Sequence, residues 1–205
     1  MRKKVVFASR NEGKIGEVRA ILEGLDIDLV SLAEYDHVPE VIEDGSSFFE
    51  NALKKAKTIS EFTGETALAD DSGLEIAALN GQPGIYSSRF AGEDADDDRN
   101  IDKVLDLLAN TPLKNRTAAF RCSIVLYSPE GSYEAFEGRW DGLISEARQG
   151  SGGFGYDPIF YVPEFKKTVA QLTSQEKNRL SHRAKALFAL KESLRTRLEL
   201  NKRSL

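Results

Sequence analysis

Two adjacent carboxylates, Asp70 and Asp71, stand between two apolar runs and are followed by Ser72 and Gly73. The first run, residues 67–69, predicts a buried strand that ends at the acids, and Asp-Ser-Gly predicts a turn. If the strand continued instead, alternation would place the two acids on opposite faces. Buried carboxylates need a cation or hydrogen-bond donors, and oxygen ligands suit Mg²⁺, which proteins bind through carboxylates plus substrate phosphates. A metal site and an ordinary Asx turn both remain open.

A polar loop at residues 9–14 offers a second kind of chemistry, which is anion binding. The loop follows a β-rich run at 4–8 and precedes residues 15–22, whose apolar positions have helical spacing. Strand, loop and helix in this order point backbone N–H groups and a helix N-terminus towards an anion, and Lys14 adds a positive charge. The glycine spacing and the Lys-Ser/Thr pair of a P-loop are absent. An N-capped amphipathic helix without a ligand is the alternative interpretation.

Residues 150–158 contain four glycines in nine positions, with Phe154 and Tyr156 among them. So many glycines disfavour regular structure and let the backbone approach a ligand closely. Exposed aromatic faces in this loop could stack on a nucleobase. The alternative is that both rings anchor the loop in the core.

A helix with further charged residues is predicted at 47–62, between a Ser-x-x-Glu capping box and a stop at Gly64. Asn51 and Lys55 lie one turn apart on this helix and share a face. Glu43 lies just before the helix N-terminus, where it either favours the helix dipole or holds a metal.

The remaining patterns predict the elements that must position these segments. Strands are expected at 28–31, 117–127 and 133–140, the last two forming a hairpin, and a helix is expected at 96–109. A further capping box stands at 173–176, and a helix is expected after residue 183 to about 200. His182, one of only two histidines, stands beside Ser181 and Arg183, although a lone histidine is usually structural.

The composition is that of a globular protein with one substantial domain or two small lobes. The 205 residues carry a formal net charge of -5, which argues against a nucleic-acid partner held through its phosphates. The single cysteine, Cys122, cannot form an internal disulfide and fits a reducing compartment. No apolar run approaches the roughly 20 residues of a membrane span, and the N-terminus lacks a signal-peptide core. We expect a cytoplasmic protein that binds neither membranes nor nucleic acid.

Six motifs that span nearly the whole chain together resemble those of the inosine/xanthosine triphosphate pyrophosphatase family. The motifs are Ser9-Arg10-Asn11-Glu12-Gly13-Lys14, Phe49-Glu50-Asn51-Ala52, Ala69-Asp70-Asp71-Ser72-Gly73-Leu74, Pro83-Gly84-Ile85-Tyr86-Ser87-Ser88-Arg89, Gly152-Gly153-Phe154-Gly155-Tyr156-Asp157-Pro158 and Ser181-His182-Arg183. The last two are highly diagnostic in combination. Ser9 stands where relatives often carry threonine, so the hydroxyl is kept.

The resemblance implies an α/β fold with a long mixed central sheet flanked by helices. It implies a single two-lobed domain over residues 1–205, elongated, with the active site in the cleft between the lobes, and a homodimer. The implied reaction is the Mg²⁺-dependent hydrolysis of ITP, dITP or XTP to the nucleoside monophosphate and pyrophosphate. Such a reaction removes deaminated purines from the nucleotide pool.

The resemblance also implies roles for individual residues. Glu43 and Asp71 are implied metal ligands, and Asp71 is the implied general base. Because Mg²⁺ lowers the proton affinity of Asp71, Asp70 could share the proton-accepting role. The implied substrate-binding residues are Ser9, Arg10, Asn11, Glu12, Gly13, Lys14, Lys55, Ser72, Phe154, Gly155, Tyr156, Asp157, Lys177, His182 and Arg183. Donors from Lys177, His182 or Arg183 would favour the O6 acceptor of hypoxanthine and xanthine over the amino group of adenine.

Three other functions compete with this interpretation. The first is a related pyrophosphatase acting on another modified base, such as a methylated pyrimidine. The second is a nucleotide-binding sensor without catalysis, which would not need a carboxylate cluster facing a polyanion. The third is a nucleic-acid-binding module that uses Phe154 and Tyr156, against which the acidic charge balance counts.

Overall fold

The structure is a computed structural model that describes residues 3–203. The strands are β1 (Lys3–Phe7), β2 (Ile27–Ser31), β3 (Thr66–Ile76), β4 (Thr117–Tyr127), β5 (Tyr133–Ile144), β6 (Phe160–Val162) and β7 (Lys167–Thr168). The helices are α1 (Glu12–Leu22), α2 (Phe48–Thr63), α3 (Asp97–Leu107), α4 (Ser174–Leu180) and α5 (His182–Arg203). None of the helices described is long and apolar enough to cross a membrane.

The seven strands form one sheet in the order β2-β1-β3-β4-β5-β6-β7. Strand β1 pairs in parallel with β2 and with β3, whereas β6 pairs antiparallel with β5 and with β7. The sheet is therefore mixed, and the prediction of an α/β fold with a mixed central sheet flanked by helices is confirmed.

Internal contacts divide the chain into two compact units. The first unit comprises the chain up to Asp71, Cys122–Gly138 and the chain from Arg183 onwards. The second unit comprises Ser72–Arg121 and Arg139–His182.

The first unit buries apolar side chains on both faces of its strands, as expected for parallel strands covered by helices. Phe7 and Leu68 pack in one cluster with residues of α1 and α5. Val6 and Ala67 pack in another cluster with residues of α2. Neighbouring positions along β1 and β3 thus face different helices, which also determines where polar side chains on these strands point.

The second unit has its own apolar core around β3, β4 and α3. Leu74, Ile101, Phe120 and Phe160 are buried there, and the rings of Phe120 and Phe160 stack with centroids 4.2 Å apart.

Local capping signals determine the ends of the two helices nearest the candidate residues. The Asn11 side chain accepts from the Lys14 backbone N–H at the start of α1. The Ser47 side chain accepts from the backbone of Glu50 at the start of α2, and Gly64 ends that helix with φ at 69°. These features confirm the helices that the sequence predicts there.

The predicted turn after Asp70 and Asp71 is wrong, because β3 continues through both acids for 11 residues to Ile76. The acids do not need a solvent-exposed turn, since each has partners on the helices that cover its own face of the strand. Asp70 contacts Lys14 and Asp71 contacts Asn51, in agreement with the alternation that a continuous strand imposes.

Candidate active site

The loop between β1 and α1 is shaped by its own side chains. The Ser9 hydroxyl accepts from the Asn11 N–H at 3.2 Å, and Asn11 Oδ1 accepts from the Lys14 N–H at 3.0 Å. The loop therefore leads directly into a helix N-terminus, where backbone N–H groups and the helix dipole favour an anion.

A pocket of about 610 Å³ opens beside this loop, entirely within the first unit. Three loop residues, Lys14 in the first turn of α1, and acids and a lysine from other segments line it: Ser9, Arg10, Asn11, Lys14, Glu43, Lys55 and Asp70. Its volume lies within the range of small-molecule sites. Basic and acidic side chains meet in it, as a site for an anion with a cation requires.

Asp70 is held by two cations in the first unit. Lys14 Nζ lies 3.0 Å from both Asp70 carboxylate oxygens, and Arg183 Nε and Nη2 lie 3.2 and 3.1 Å from Oδ2. Burial alone would raise the pKa of Asp70, but Lys14, Arg183 and Lys55 outweigh it and hold that pKa well below its usual range. Asp70 is therefore ionised at neutral pH and is a weak proton acceptor.

Arg183, one of the implied substrate-binding residues, is only 1% exposed and lies among acids of the first unit. Besides Asp70, its Nη1 contacts Glu17 Oε2 at 2.5 Å. Glu17 was not predicted as a functional residue. The signal that could have found it is its spacing, because it lies four residues before Ile21 on the apolar side of α1.

Asp71 lies on the other face of β3, where α2 supplies its partners. Asn51 Nδ2 donates to Asp71 Oδ2 at 3.1 Å, and Lys55 Nζ lies 3.7 Å from Oδ1. Burial and the negative charge of Glu43 raise the pKa of Asp71, whereas the positive charge of Lys55 lowers it. Overall, the pKa of Asp71 lies above its ordinary value. Of the two adjacent acids, Asp71 is thus the better proton acceptor.

Lys55 forms ion pairs with both implied metal ligands, Asp71 and Glu43. Its Nζ lies 3.0 Å from Glu43 Oε1. Burial lowers the pKa of Lys55, but Asp71, Asp70 and Glu43 together raise it above its ordinary value, so the ammonium stays charged. Two carboxylates from separate segments therefore approach one positive charge.

The carboxylate oxygens of Glu43 and Asp71 are of the type that binds Mg²⁺ in proteins. Within the described part of the chain, no group of three or more His, Cys, Asp and Glu side chains is arranged to hold a metal ion. Magnesium, however, is commonly bound through only one or two carboxylates, with water and substrate phosphates completing its octahedron. Glu43 and Asp71 supply two such oxygen donors close to a common cation.

The second unit contains a separate group of candidate residues around Asp157. Asp157 Oδ2 accepts from Lys177 Nζ at 2.6 Å and from the Phe154 N–H at 3.0 Å. Lys177 Nζ lies 4.2 Å from the centre of the Phe154 ring. A Cβ at position 153 would stand 2.0 Å from Asp157 Oδ2, and φ there is +77°, so Gly153 is required for this arrangement.

The other candidates of the second unit differ in their surroundings. Tyr156 is buried in the apolar core, and its hydroxyl donates to the Ser87 carbonyl at 2.7 Å, which matches the anchoring interpretation of this ring. The Gly155 N–H donates to Asp97 Oδ2 at 2.7 Å, a contact from α3 that no local sequence signal could have indicated. The His182 ring stacks on Phe120 at 4.8 Å.

The candidate residues thus fall into two groups, one in each unit. The first unit holds Ser9, Arg10, Asn11, Glu12, Gly13, Lys14, Glu43, Lys55, Asp70, Asp71 and Arg183. The second unit holds Ser72, Phe154, Gly155, Tyr156, Asp157, Lys177 and His182.

Acid is expected to weaken the protein partly through Asp70. Because its folded pKa lies below the unfolded value of about 3.9, the contribution of Asp70 to stability is present above that value and is lost as the pH falls further. We expect the free-energy difference between the wild type and Asp70→Asn, measured by urea unfolding, to shrink as the pH falls from 7 to 3. A difference that stays constant with pH would contradict this.

Comparison with known proteins gives matches over nearly the whole chain. The Ham1 family model matches residues 5–193. The dITP/XTP pyrophosphatase of Geobacter sulfurreducens is 50% identical over 191 residues, covering 93% of this chain and 96% of that protein, and that of Bacillus cereus is 47% identical over 194 residues, covering 94% and 95%. Among solved structures, a HAM1 protein from Coxiella burnetii gives a TM-score of 0.87 at 44% identity, covering 95% of this chain and 99% of its own. The Staphylococcus aureus Ham1 protein gives 0.86 at 42% identity, covering 95% and 100%.

Proposed function

Because the chain belongs to the Ham1 family, we propose that it hydrolyses non-canonical purine nucleoside triphosphates. The proposed substrates are ITP, dITP and XTP, the products are the nucleoside monophosphate and pyrophosphate, and the proposed role is to clear deaminated purines from the nucleotide pool. The observation that carries the proposal is the convergence of Glu43 and Asp71 on Lys55 Nζ, 3.0 and 3.7 Å away, beside the pocket that Lys14 lines. Relatives at 47–50% identity named dITP/XTP pyrophosphatase support it.

The phosphates are assigned to the pocket of the first unit. A nucleoside triphosphate brings about four negative charges, which cationic side chains and oriented N–H groups can neutralise. Lys14, Arg10 and the N-terminus of α1 supply such groups along one wall. Lys14 is held in place by Asp70, so its ammonium is positioned before the substrate arrives.

The proposed cofactor is Mg²⁺, held by Glu43 and Asp71. When bound, it supplies charge neutralisation on the polyphosphate and activation of water. We assign to Asp71 the orientation of the attacking water and the acceptance of its proton, because it approaches the same centre as Glu43, whereas Asp70 is held by Lys14 and Arg183. Burial raises the pKa of Asp71 in the absence of a cation, and a Mg²⁺ ligated by Asp71 would lower it, so the assignment rests on position. Asp70, with its lowered pKa, is assigned to holding Lys14 and Arg183 rather than to proton transfer.

Purine recognition is assigned to the second unit. The Phe154 ring offers an aromatic surface for stacking, and the Lys177 ammonium beside it is a donor that suits the O6 acceptor of hypoxanthine or xanthine. Adenine carries an amino donor at that position, which a cation disfavours. Asp157 fixes both the loop and the lysine.

Replacing Phe154 by alanine is expected to raise KM with little change in kcat. Base–aromatic stacking is worth about 1–3 kcal/mol, which corresponds to a rise of roughly 5- to 150-fold. Steady-state kinetics with dITP measure this. Phe188→Ala is the control, because Phe188 lies on α5 and is 41% exposed. An unchanged KM in Phe154→Ala would assign the ring to packing alone.

A substrate panel tests the proposed function. With Mg²⁺ present, kcat/KM is compared for dITP, XTP and ITP against ATP, GTP and a methylated pyrimidine triphosphate. The proposal expects the three deaminated purines to be preferred by orders of magnitude. Equal turnover of ATP would contradict base selection, and preference for the pyrimidine would identify a related pyrophosphatase of different specificity. We propose a homodimer from the family resemblance, and a cytoplasmic location because the single cysteine fits a reducing compartment.

A further inference from the structure

We propose that Asn51 is a positioning residue that orients the Asp71 carboxylate and ties to it the loop that carries Glu43. The proposal rests on the proposed function, in which Glu43 and Asp71 act together towards a divalent cation. Asn51 lies in the first turn of α2 and is 0% exposed.

The oxygen and the nitrogen of the Asn51 amide both form hydrogen bonds, the oxygen with a donor and the nitrogen with an acceptor. Its Oδ1 accepts from the Gly45 N–H at 2.8 Å, and its Nδ2 donates to Asp71 Oδ2 at 3.1 Å. A backbone N–H requires an acceptor and an ionised carboxylate requires a donor, so the two partners define the orientation of the amide. An aspartate here could not donate to Asp71, and an apolar side chain could serve neither partner.

The two hydrogen bonds of Asn51, to Gly45 and to Asp71, form a bridge that constrains the positions of both implied metal ligands. With Oδ2 of Asp71 bonded to Asn51, Oδ1 is the oxygen near Lys55 Nζ, 3.7 Å away. Gly45 is two residues from Glu43, whose Oε1 lies 3.0 Å from the same Nζ. Moving Asn51 would therefore alter the spacing of the two carboxylates.

Gly45 lies so close to Asn51 that a side chain at position 45 would collide with it. A Cβ at this position would stand 2.6 Å from Asn51 Oδ1 and 2.9 Å from Glu50 Cβ. Alanine at position 45 would push the loop away from the amide, which gives a second way to disturb the bridge without removing Asn51.

The chain contains a matched control in Asn100, which lies on α3 of the second unit and is 2% exposed. Its Oδ1 accepts from the Ala91 N–H at 2.7 Å, and its Nδ2 donates to the Ser88 carbonyl at 3.1 Å. Asn100 thus also accepts from a backbone N–H and donates to an oxygen, but that oxygen belongs to a backbone carbonyl rather than to a carboxylate.

The test compares Asn51→Ala with Asn100→Ala by titrating Mn²⁺ alone and measuring free Mn²⁺ by electron paramagnetic resonance. Partners that orient metal ligands typically contribute 10- to 100-fold to metal affinity. We expect Asn51→Ala to bind Mn²⁺ at least about tenfold more weakly than the wild type, and Asn100→Ala to stay within about twofold. Equal Mn²⁺ affinities in the two variants, with thermal midpoints lowered alike, would reduce Asn51 to a structural residue and overturn the proposal.

Gly45→Ala decides the question if Asn51→Ala fails to fold. We expect it to weaken Mn²⁺ binding, whereas Gly16→Ala, whose Cβ meets nothing within 4 Å, leaves it unchanged. Equal binding by these two variants, or no Mn²⁺ binding by the wild type, would overturn the inference. Pyrophosphate release from dITP by the wild type is assayed separately, so failure of the proposed function is recognised independently of Asn51.

Discussion

Asp71→Asn is expected to lower the rate of pyrophosphate release at least about a thousandfold while leaving nucleotide binding detectable. The change removes a positioned proton acceptor, an effect typically worth 10²–10⁴-fold, and at the same time one of two charged ligands proposed for the cation. Lys14 and the N-terminus of α1 are untouched, so the triphosphate keeps its main anchors. Single-turnover kinetics with dITP, together with calorimetric binding of the same nucleotide, measure both quantities.

The same variant should keep its stability, which separates loss of chemistry from loss of fold. Burial raises the pKa of Asp71 above its unfolded value, so the ionised carboxylate is disfavoured in the folded state at neutral pH. Asparagine removes that penalty, and we expect a thermal midpoint equal to or above that of the wild type. Asp102→Asn, at an exposed position on α3, is the control for the substitution. Turnover by Asp71→Asn within tenfold of the wild type would refute the assigned role.

Arg183→Met is expected to destabilise the protein by about 3–5 kcal/mol, the range for removing one partner of a buried ion pair. The guanidinium is 1% exposed and contacts both Asp70 and Glu17, so its loss leaves two buried acids short of a cation. Methionine retains much of the side-chain volume, which keeps cavity formation small. Urea unfolding at pH 7 measures the free energy of unfolding.

An arginine at the surface provides the comparison for this effect. Arg148 is bonded to Asp102 and lies near Asp98, but its side chain is 36% exposed and both acids are largely exposed, so Arg148→Met should change stability by less than about 1 kcal/mol. Equal losses in the free energy of unfolding for Arg183→Met and Arg148→Met would show that the burial of Arg183 does not increase its contribution to stability.

Local signals in the sequence predict a large part of the fold. The capping residues Asn11 and Ser47 and the αL glycine at 64 act within a few residues of their own helix, so reading the sequence identifies them correctly. The long strand β4 and the helix α3 follow likewise from patterns contained in each segment. The motif resemblance supplied the candidate residues that such patterns alone leave open.

Partners distant in the chain explain what the sequence does not predict. The sequence around Asp70 and Asp71 indicates a turn, because it does not reveal Lys14, Arg183 and Asn51 as their partners. In the structure these contacts allow β3 to continue. Glu17 and Arg183 are 166 residues apart, and no periodic pattern links them. The sequence likewise does not reveal that Asn51 donates to Asp71, the hydrogen bond that connects Asn51 with the candidate site.

The most direct test of the central claim is the identity of the products from dITP and Mg²⁺, with pyrophosphate and orthophosphate quantified separately. The account predicts one pyrophosphate for each nucleoside monophosphate and no orthophosphate, because the carboxylates and the phosphate pocket are proposed to act on the α–β bond. Release of orthophosphate with accumulation of the nucleoside diphosphate would contradict it.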